Sequence, residues 1–259
     1  MGTKLQVIGG GKMGQALVGG LVGDRDPSEV AVVEVMAEQR AVVTERFPGT
    51  MVIDRPVGGV DTILAVKPHV VTEVCRQLSN PTRVMSVAAG ITIATIEAVL
   101  PGVPVIRVMP NTPALVGAGV SGVAAGSAAS DDDLQWALSV LSAVGPTVVV
   151  NESQLDAVTG VSGSGPAYIF LVAEAMIDAG VRVGLSRPVA TELAINTVYG
   201  AGKMMVETGD SPVDLRAAVT TPAGTTAAGL AALEDHGVRA AFSAAVRAAT
   251  DRSVEIGRS

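Results

Sequence analysis

The sequence predicts an α/β protein in which a parallel, doubly wound sheet is followed by an all-helical region. In the first half of the chain, short apolar runs alternate with amphipathic segments, a pattern typical of parallel strands joined by crossover helices. A glycine-rich loop follows the first apolar run, and runs of strand length stop after Asn151. We therefore predict two domains, a sheet domain over residues 1–151 and a helical domain over residues 152–259.

Seven apolar runs in the first half have the length and the flanking turn residues of strands. Between the last two runs, Ser130 and Asp133 have the spacing of a capping box. We therefore interpret the acidic run 131–133 as a solvated helix start rather than a metal site. The predicted strands are Leu5–Ile8, Val30–Val33, Met51–Ile53, Thr62–Val66, Val84–Ala88, Val105–Met109 and Thr147–Val150.

The loop after the first predicted strand has the spacing G-x-G-x-x-G, formed by Gly9, Gly11 and Gly14. The first glycine permits a tight turn, the second lets the backbone approach a pyrophosphate, and the third lets the next helix pack on the strand. Lys12 and Met13 lie between these glycines, where the N–H groups of a helix N-terminus face the phosphates. The spacing predicts a dinucleotide site on a Rossmann-type sheet.

An acidic residue, Glu34, ends the second predicted strand about twenty residues after Gly14. A carboxylate at this position accepts a hydrogen bond from the 2′-hydroxyl of NADH and repels the 2′-phosphate of NADPH. Lys12 and Arg40 are close enough in sequence to soften that repulsion. We therefore expect NADPH or NADH as the cofactor, with NADH preferred.

The composition excludes several classes of function. A net charge of -7 and a pI near 4.9 argue against a protein that binds nucleic acid through its phosphates. The single cysteine, Cys75, excludes an internal disulfide, and two histidines do not make a zinc site. The N-terminus lacks the pattern of a signal peptide, and prolines and glycines interrupt the uncharged stretch Val108–Ser130. We expect a cytoplasmic protein with no metal and no membrane span.

The second half of the chain contains helix signals. These helices are rich in small residues and apolar on more than one face, so we expect at least a homodimer formed through them. The glycines at 163 and 165 indicate close approach of the backbone to a ligand or a neighbouring helix. The predicted helices run from Pro166 to near Gly180, from Ser186 to Gly209, from Ser211 onward, from Gly224 to His236 and from Val238 through Ala249.

Four further stretches resemble the pyrroline-5-carboxylate reductase family. AVKP at 65–68 and MPNTP at 109–113 each follow a predicted strand, and VSGSGPAY at 161–168 and TTPAGTT at 220–226 lie in the helical half. With the glycine loop, these motifs keep the family's order as far as about Leu233. The resemblance implies NAD(P)H-dependent reduction of the cyclic imine 1-pyrroline-5-carboxylate to L-proline. It also implies a Rossmann domain followed by a helical dimerisation domain, often assembled into a ring of dimers.

By this resemblance, the loop from Thr221 to Thr226 binds the substrate. The amides of Gly224 and Thr225 are predicted to hold the substrate carboxylate, because a helix N-terminus offers free N–H groups to an anion. The Thr226 hydroxyl matches the family's threonine near the imine nitrogen and is the predicted catalytic group; the alternative is a plain helix N-cap. The family usually has serine and glycine where this chain has Thr221 and Ala223, and an alanine there is strained if its φ is positive.

The resemblance also places a second set of residues at the cofactor. Ala65, Val66, Lys67 and Pro68 follow a strand whose carboxyl end faces the nucleotide crevice, so they are expected to form the wall beside the ribose and nicotinamide. Asn111 resembles the family's asparagine that faces the same cleft. A solvated charge for Lys67 and an ordinary turn residue for Asn111 stay open as alternatives.

Two other classes of function fit parts of the sequence. β-Hydroxyacid dehydrogenases have the same two-part plan and use a lysine on an early helix of the second domain, and Lys203 is the only lysine after Lys67. The asparagine that this family places a turn later is absent here. A non-catalytic dinucleotide sensor would keep the glycine loop and lose the substrate site, and the retention of Thr226 argues against it.

Overall fold

The fold is described from a computed structural model, over residues 2–258. The chain divides into two compact units, Met1–Ser164 together with Arg247–Ser259, and Gly165–Val246. We call them the sheet unit and the helical unit. The domain boundary at Asn151, taken from the end of the strand signals, stays a prediction.

The sheet unit is built on one eight-stranded sheet with the order β3-β2-β1-β4-β5-β6-β7-β8. Strands β1 to β6 pair in parallel, β7 runs antiparallel to β6, and β8 pairs in parallel with β7. The strand order changes side at β1, which lies between β2 and β4 and creates a crevice at their carboxyl ends. The strands are Leu5–Ile8 (β1), Val30–Val33 (β2), Met51–Ile53 (β3), Asp61–Leu64 (β4), Val84–Ser86 (β5), Val105–Met109 (β6), Ser121–Ala125 (β7) and Thr147–Val149 (β8).

Helices cover both faces of this sheet. One buried cluster packs the first, second and fifth helices on one face, and another packs the third, fourth and sixth helices with the opposite set of strand residues. Alternate strand residues point to opposite faces, so near-continuous apolar strands supply both clusters. The helices are Lys12–Asp24 (α1), Ala37–Arg46 (α2), Val71–Gln77 (α3), Ile93–Glu97 (α4), Asp131–Ser142 (α5), Leu155–Val158 (α6), Gly165–Arg182 (α7), Arg187–Thr208 (α8), Pro212–Ala218 (α9), Thr225–Asp235 (α10) and Val238–Arg258 (α11).

The fold confirms the predicted α/β class, and all seven predicted strands are present, with ends that differ by one or two residues at β4, β5 and β8. Strand β7 was not predicted, because small residues such as Gly122 and Ala124 have weak strand propensity. Its strand conformation depends on pairing with β6. The capping box is confirmed: the Ser130 hydroxyl accepts from the Asp133 N–H at 3.3 Å, and the Asp133 carboxylate accepts from the Ser130 N–H at 2.9 Å.

The helical unit contains α7 to α10 and the first part of α11. Its helix signals lie where the sequence places them: Ser186 precedes α8, Gly209 ends that helix with a φ of 70°, and Ser211 caps α9. Among the residues described in this unit, only Ala190 and Ala194 are buried apolar side chains. The helical unit therefore leaves most of its apolar side chains uncovered within one chain.

A helical stretch at Glu152–Arg182 is long and apolar enough to cross a membrane, by length and composition alone. It contains a π-helical turn at Thr159–Gly163. One such stretch is weak evidence for a membrane span, because an apolar helix that packs in a soluble protein meets the same criterion.

Candidate active site

A cleft of about 490 Å³ opens at the carboxyl ends of β1, β2 and β4. It lies at the point where the strand order changes side, which is where doubly wound sheets bind nucleotides. Six of the eleven residues predicted to bind the cofactor line it. The lining residues are Gly9, Gly11, Glu34, Val35, Met36, Glu38, Gln39, Ala65, Val66, Lys67, His69 and Val70.

The three glycines of the loop have different structural roles. Gly9 has a φ of 107°, and a Cβ added there would lie 2.5 Å from the Ala65 carbonyl oxygen. A Cβ on Gly14 would lie 1.9 Å from the Gly9 carbonyl oxygen, so this glycine permits the close packing of α1 on the loop. A Cβ on Gly11 would meet nothing within 4 Å. Gly11 therefore leaves open space beside the N-terminus of α1, where the loop pattern predicts the pyrophosphate.

Glu34 is held in place at the end of β2. One carboxylate oxygen accepts from the Gly10 N–H at 2.9 Å, and the other accepts from the Met36 N–H at 2.9 Å. The Arg40 guanidinium donates to the carbonyl oxygens of Glu34 and Val35 at 2.9 and 2.8 Å. Arg40 therefore stabilises the turn between β2 and α2 and does not pair with the Glu34 carboxylate.

Three other residues predicted to bind the cofactor, Lys12, Met13 and Pro68, are not among those that line the cleft. Lys12 is exposed in the first turn of α1, and Met13 packs partly against the buried cluster on that face of the sheet. Pro68 begins a 3₁₀ turn after β4, where its fixed φ suits the first position.

Asn111 is buried, and its amide binds two stretches of backbone. Its side-chain oxygen accepts from the Val120 N–H at 2.9 Å, and its side-chain nitrogen donates to the Ser162 carbonyl oxygen at 3.1 Å. The nearby Gly163 lies so close to Met109 that a Cβ would be 2.6 Å from the methionine methyl group. These contacts are those of a residue that fixes loop geometry, and a role of Asn111 at the cofactor stays a prediction.

The predicted substrate loop joins α9 to α10 in the helical unit. The Gly224 N–H donates to the Thr221 carbonyl oxygen at 3.0 Å and closes a turn, in which Ala223 has a φ of 56°. A Cβ on Gly224 would lie 2.3 Å from the Thr221 hydroxyl, so a larger residue there would displace that side chain. Helix α10 begins at Thr225 with Gly224 as its N-cap, so Thr226 is the second residue of the helix and not its cap.

The first N–H groups of α10, at Thr225 and Thr226, have no carbonyl one turn earlier in the helix to bind. They lie at the positive end of the helix dipole, which favours an anion. Because the Gly224 amide is engaged in the turn, the free amides of this loop begin at Thr225.

Lys203, the residue of the dehydrogenase alternative, is half-exposed on α8. Its ammonium lies 3.6 Å from the Glu207 carboxylate, one helical turn later. This is an ordinary exposed ion pair between residues four apart on a helix.

Cys75 and Asp133 have displaced pKa values and lie outside the cleft. Burial raises the pKa of the Cys75 thiol on α3 to about 11. Burial also acts to raise the pKa of Asp133, but hydrogen bonds from Ser130 and the charge of Arg83 outweigh it and lower that pKa. Cys75 belongs to a buried cluster of the sheet unit, and Asp133 belongs to the capping box of α5.

Several residues of the cleft were not predicted from the sequence. Met36, Glu38 and Gln39 begin α2, and His69 follows Pro68 in the 3₁₀ turn. The available signal was their position, since the residues that follow the carboxyl end of a strand next to the crevice face the ligand.

The sheet order, the glycine loop and the cleft define a Rossmann-type dinucleotide-binding oxidoreductase with an appended helical unit. Residues 152–256 match the model for the pyrroline-5-carboxylate reductase dimerisation domain, and residues 4–90 match that for NADP oxidoreductase, coenzyme F420-dependent. The chain is 42% identical to a pyrroline-5-carboxylate reductase of Corynebacterium melassecola, over 99% of each chain. The chain belongs to the pyrroline-5-carboxylate reductase family, whose members are NAD(P)-dependent oxidoreductases.

Solved structures agree with this assignment. A pyrroline-5-carboxylate reductase from Coxiella burnetii superposes with a TM-score of 0.93 at 35% identity, over 99% of both chains. The Plasmodium falciparum pyrroline carboxylate reductase with NADP bound superposes with a TM-score of 0.81 at 26% identity, over 98% of both chains. Because its C-terminal region is a dimerisation domain of this family, the chain self-associates.

Proposed function

We propose that this chain reduces 1-pyrroline-5-carboxylate to L-proline, with the dinucleotide in the glycine-loop cleft and the substrate at the N-terminus of α10. The observation that carries the proposal is the occurrence of both features in one chain of this family. The open space at Gly11 fits a pyrophosphate, and the free amides at Thr225 and Thr226 fit a carboxylate.

The chemistry divides between the cofactor and the chain. When bound, NAD(P)H supplies the hydride that forms the new C–H bond at the imine carbon. The electron pair of the C=N double bond then goes to the ring nitrogen, which takes up a proton from water. The amides at the start of α10 hold the substrate carboxylate, and the Thr226 hydroxyl donates a hydrogen bond at the imine nitrogen. Positioning of this kind is the main contribution a protein makes to hydride transfer.

The cofactor preference that we propose is NADH, with NADPH accepted. Glu34 and Glu38 both line the cleft, and their carboxylates disfavour a 2′-phosphate. Arg40 donates to backbone carbonyls and offers little compensation from that position. The ratio of kcat/KM for the two cofactors tests this, and Glu34→Gln is expected to move the ratio towards NADPH. A wild-type preference for NADPH would overturn the proposal.

We further propose that self-association forms a dimer through the helical unit, that dimers assemble into a ring, and that the protein acts in the cytoplasm. The exposed apolar side chains of α7 and α8 support the dimer. Light scattering at micromolar concentration measures the assembly, and a monomeric mass would contradict it.

The decisive experiment follows NADH and NADPH absorbance when the protein meets 1-pyrroline-5-carboxylate, with Thr226→Ala, Thr226→Ser and Thr225→Ala as variants. We expect Thr226→Ala to lower kcat by about 10- to 100-fold, since it removes a hydrogen bond that strengthens as the electron pair moves onto the ring nitrogen. The serine variant keeps the hydroxyl and is expected to retain most activity, and Thr225→Ala keeps its amide and serves as the matched control.

Two outcomes would contradict different parts of the proposal. Full activity in Thr226→Ala would remove the hydroxyl from the mechanism and leave the reaction standing. Failure of the folded wild-type protein to oxidise either cofactor with this imine would refute the reaction. Lys203→Ala with a β-hydroxyacid substrate would then test the dehydrogenase alternative.

A further inference from the structure

Gly10 lies between Gly9 and Gly11 of the loop. Side chains bind both its N–H group and its carbonyl oxygen. Its N–H donates to the Glu34 carboxylate at 2.9 Å. Its carbonyl oxygen accepts from the Gln15 side-chain amide at 2.8 Å and from the Gln39 side-chain amide at 2.6 Å. We call these four residues the Gly10 cluster.

Gln15 has the most buried side chain of this cluster. It lies on α1 with little exposure, so it does not line the cleft. Its side-chain oxygen accepts from the Arg46 guanidinium at 2.9 Å. Arginine can only donate and a carbonyl oxygen can only accept, so the two partners fix the orientation of the Gln15 amide. A buried amide with both ends satisfied is conformationally rigid and costly to disturb.

We propose that Gln15 is a positioning residue for dinucleotide binding, which acts by holding the Gly10 carbonyl together with Gln39. The inference rests on the proposed use of the cleft for NAD(P)H. Four glycines in six residues make this loop flexible in the absence of restraints. Fixing the Gly10 carbonyl orients the peptide that leads into Gly11 and the first N–H groups of α1. The loop then has less entropy to lose when a pyrophosphate binds.

The position of the contact predicts an effect that is equal for the two cofactors. The pyrophosphate is common to NADH and NADPH, so loss of Gln15 weakens the binding of both by the same factor. The Glu34 carboxylate accepts from the Gly10 N–H, but it also lines the cleft where the ribose is proposed to bind. Changes at Glu34 therefore alter the ratio of the two affinities, and changes at Gln15 do not.

The experiment measures dissociation constants of NADH and NADPH by calorimetry for Gln15→Met, Gln39→Met and the double variant. Methionine keeps the length of the side chain and removes the donor. We expect each single variant to raise both constants about three- to tenfold, as for the loss of one neutral hydrogen bond. Both hydrogen bonds hold the same carbonyl. The double variant is therefore expected to raise the dissociation constants by more than the product of the two single factors. Gln135→Met, at an exposed position of α5, is the matched control with no change.

Gln15→Glu separates positioning from stability. The carboxylate keeps an acceptor for Arg46 and gains an ion pair, but it places an acceptor against the Gly10 carbonyl. The ion pair offsets part of the stability lost with the Gly10 bond, so we expect this variant to melt closer to the wild type than Gln15→Met does and still to show the weaker binding of both dinucleotides.

Unchanged dissociation constants in the double variant would overturn this inference alone. A change in the NADH to NADPH ratio in Gln15→Met would overturn it too, because the effect would then not arise at the pyrophosphate. Failure of the wild-type protein to bind either dinucleotide would overturn the proposed function, and this inference with it.

Discussion

The sheet unit and the helical unit bury their apolar side chains to very different extents. In the sheet unit, two clusters cover both faces of the sheet, and large side chains such as Leu5, Ile63 and Met85 are fully buried. In the described part of the helical unit, two alanines are the buried apolar residues, while side chains such as Phe170 and Leu193 stay largely exposed. One region completes its core within a chain, and the other requires a second surface.

This difference separates the roles of the two units. A unit that exposes so much apolar surface gains most of its stability from association, as in obligate oligomers. The predicted substrate loop belongs to that unit, and the cofactor cleft belongs to the unit that is packed by itself. We therefore expect dinucleotide binding to tolerate loss of self-association and imine reduction to depend on it.

The largest effect is expected from a charge on the exposed apolar face of the helical unit. Met205 on α8 is 44% exposed and lies beside a cavity lined by Met204, Leu215 and Val219. A glutamate there places a charge on this apolar face, and Arg216 at the rim of the same cavity offsets only part of its cost when the face is covered by another copy. Met205→Glu is expected to give a smaller assembly with less helix, measured by light scattering and circular dichroism, and to abolish imine reduction.

Met51 offers a matched control, because this methionine on edge strand β3 is 46% exposed in the sheet unit. Met51→Glu is expected to leave the assembly, the helix content and the activity unchanged. Equal losses of assembly mass and of imine reduction in the two variants would contradict the proposed difference between the units. A wild-type assembly mass in Met205→Glu would contradict it too.

The second prediction compares two glycines of the loop, Gly14 and Gly11. A change at Gly14 is expected to affect the stability of the sheet unit, and a change at Gly11 is expected to affect ligand binding. Gly14→Ala places a methyl group 1.9 Å from a backbone oxygen, so α1 must move and we expect a loss of about 3 kcal/mol or more. Gly11→Ala meets no protein atom within 4 Å and is expected to keep the melting temperature. It should nevertheless weaken NADH binding at least tenfold, because the methyl group occupies the approach of the pyrophosphate.

Thermal melts and calorimetry on both variants check this prediction. A Gly11→Ala protein that binds NADH as the wild type does would show that the open space beside this residue is not the phosphate site. A stable Gly14→Ala protein would contradict the close packing of α1 on the loop.

Local signals were sufficient to predict most elements of the fold. The strands around Val7 and Val32 carry continuous apolar runs, and the caps at Ser130 and Ser186 sit next to the helices they begin. Strand β7 was missed because its small residues have no local preference for a strand and depend on pairing with β6, earlier in the chain. Such a strand is stabilised by pairing with residues far away in the sequence, and this pairing produces no hydrophobic periodicity from which it could be predicted.

The site was predictable to the extent that its residues carry a spacing. The glycines and Glu34 follow from the loop pattern, and they line the cleft. Gln15 and Gln39 gave no signal, because a glutamine on a helix is usually solvated and their partner is a backbone carbonyl. The use of the Gly224 amide within its own turn was equally invisible, since it depends on the φ of Ala223.

A smaller effect is expected from the ion pair that joins the start of the helical sequence to the sheet. Arg107 on β6 is buried, and its guanidinium lies 3.0 Å from the Glu152 carboxylate, which also accepts from the Ile93 N–H at 2.7 Å. Glu152→Gln leaves a buried cation without a counter-charge. Since Glu152 is itself partly exposed, we expect a loss of about 2 kcal/mol, or a melting temperature lower by about 4–8 °C.

Glu255→Gln is the control for this change, because Glu255 forms an exposed pair with Arg252 at 2.7 Å in the same unit. Exposed pairs contribute little, so its melting temperature is expected to stay within about 1 °C of the wild type. Equal shifts in the two variants would mean that burial of Arg107 does not strengthen the pair.

The smallest effect is expected at Ala223, the strained residue of the substrate loop. Its left-handed conformation costs an alanine about 1 kcal/mol, and a glycine would remove that cost. Glycine also gives the unfolded chain more freedom, which offsets roughly 0.4–1 kcal/mol of the gain. Ala223→Gly is therefore expected to raise the melting temperature by about 2 °C at most, and Ala223→Val to lower it, because a β-branched residue tolerates a positive φ poorly. Since Ala223 is exposed, neither change removes core packing, and a marked loss of stability in the glycine variant would show that the alanine methyl group makes a contact in the assembled protein.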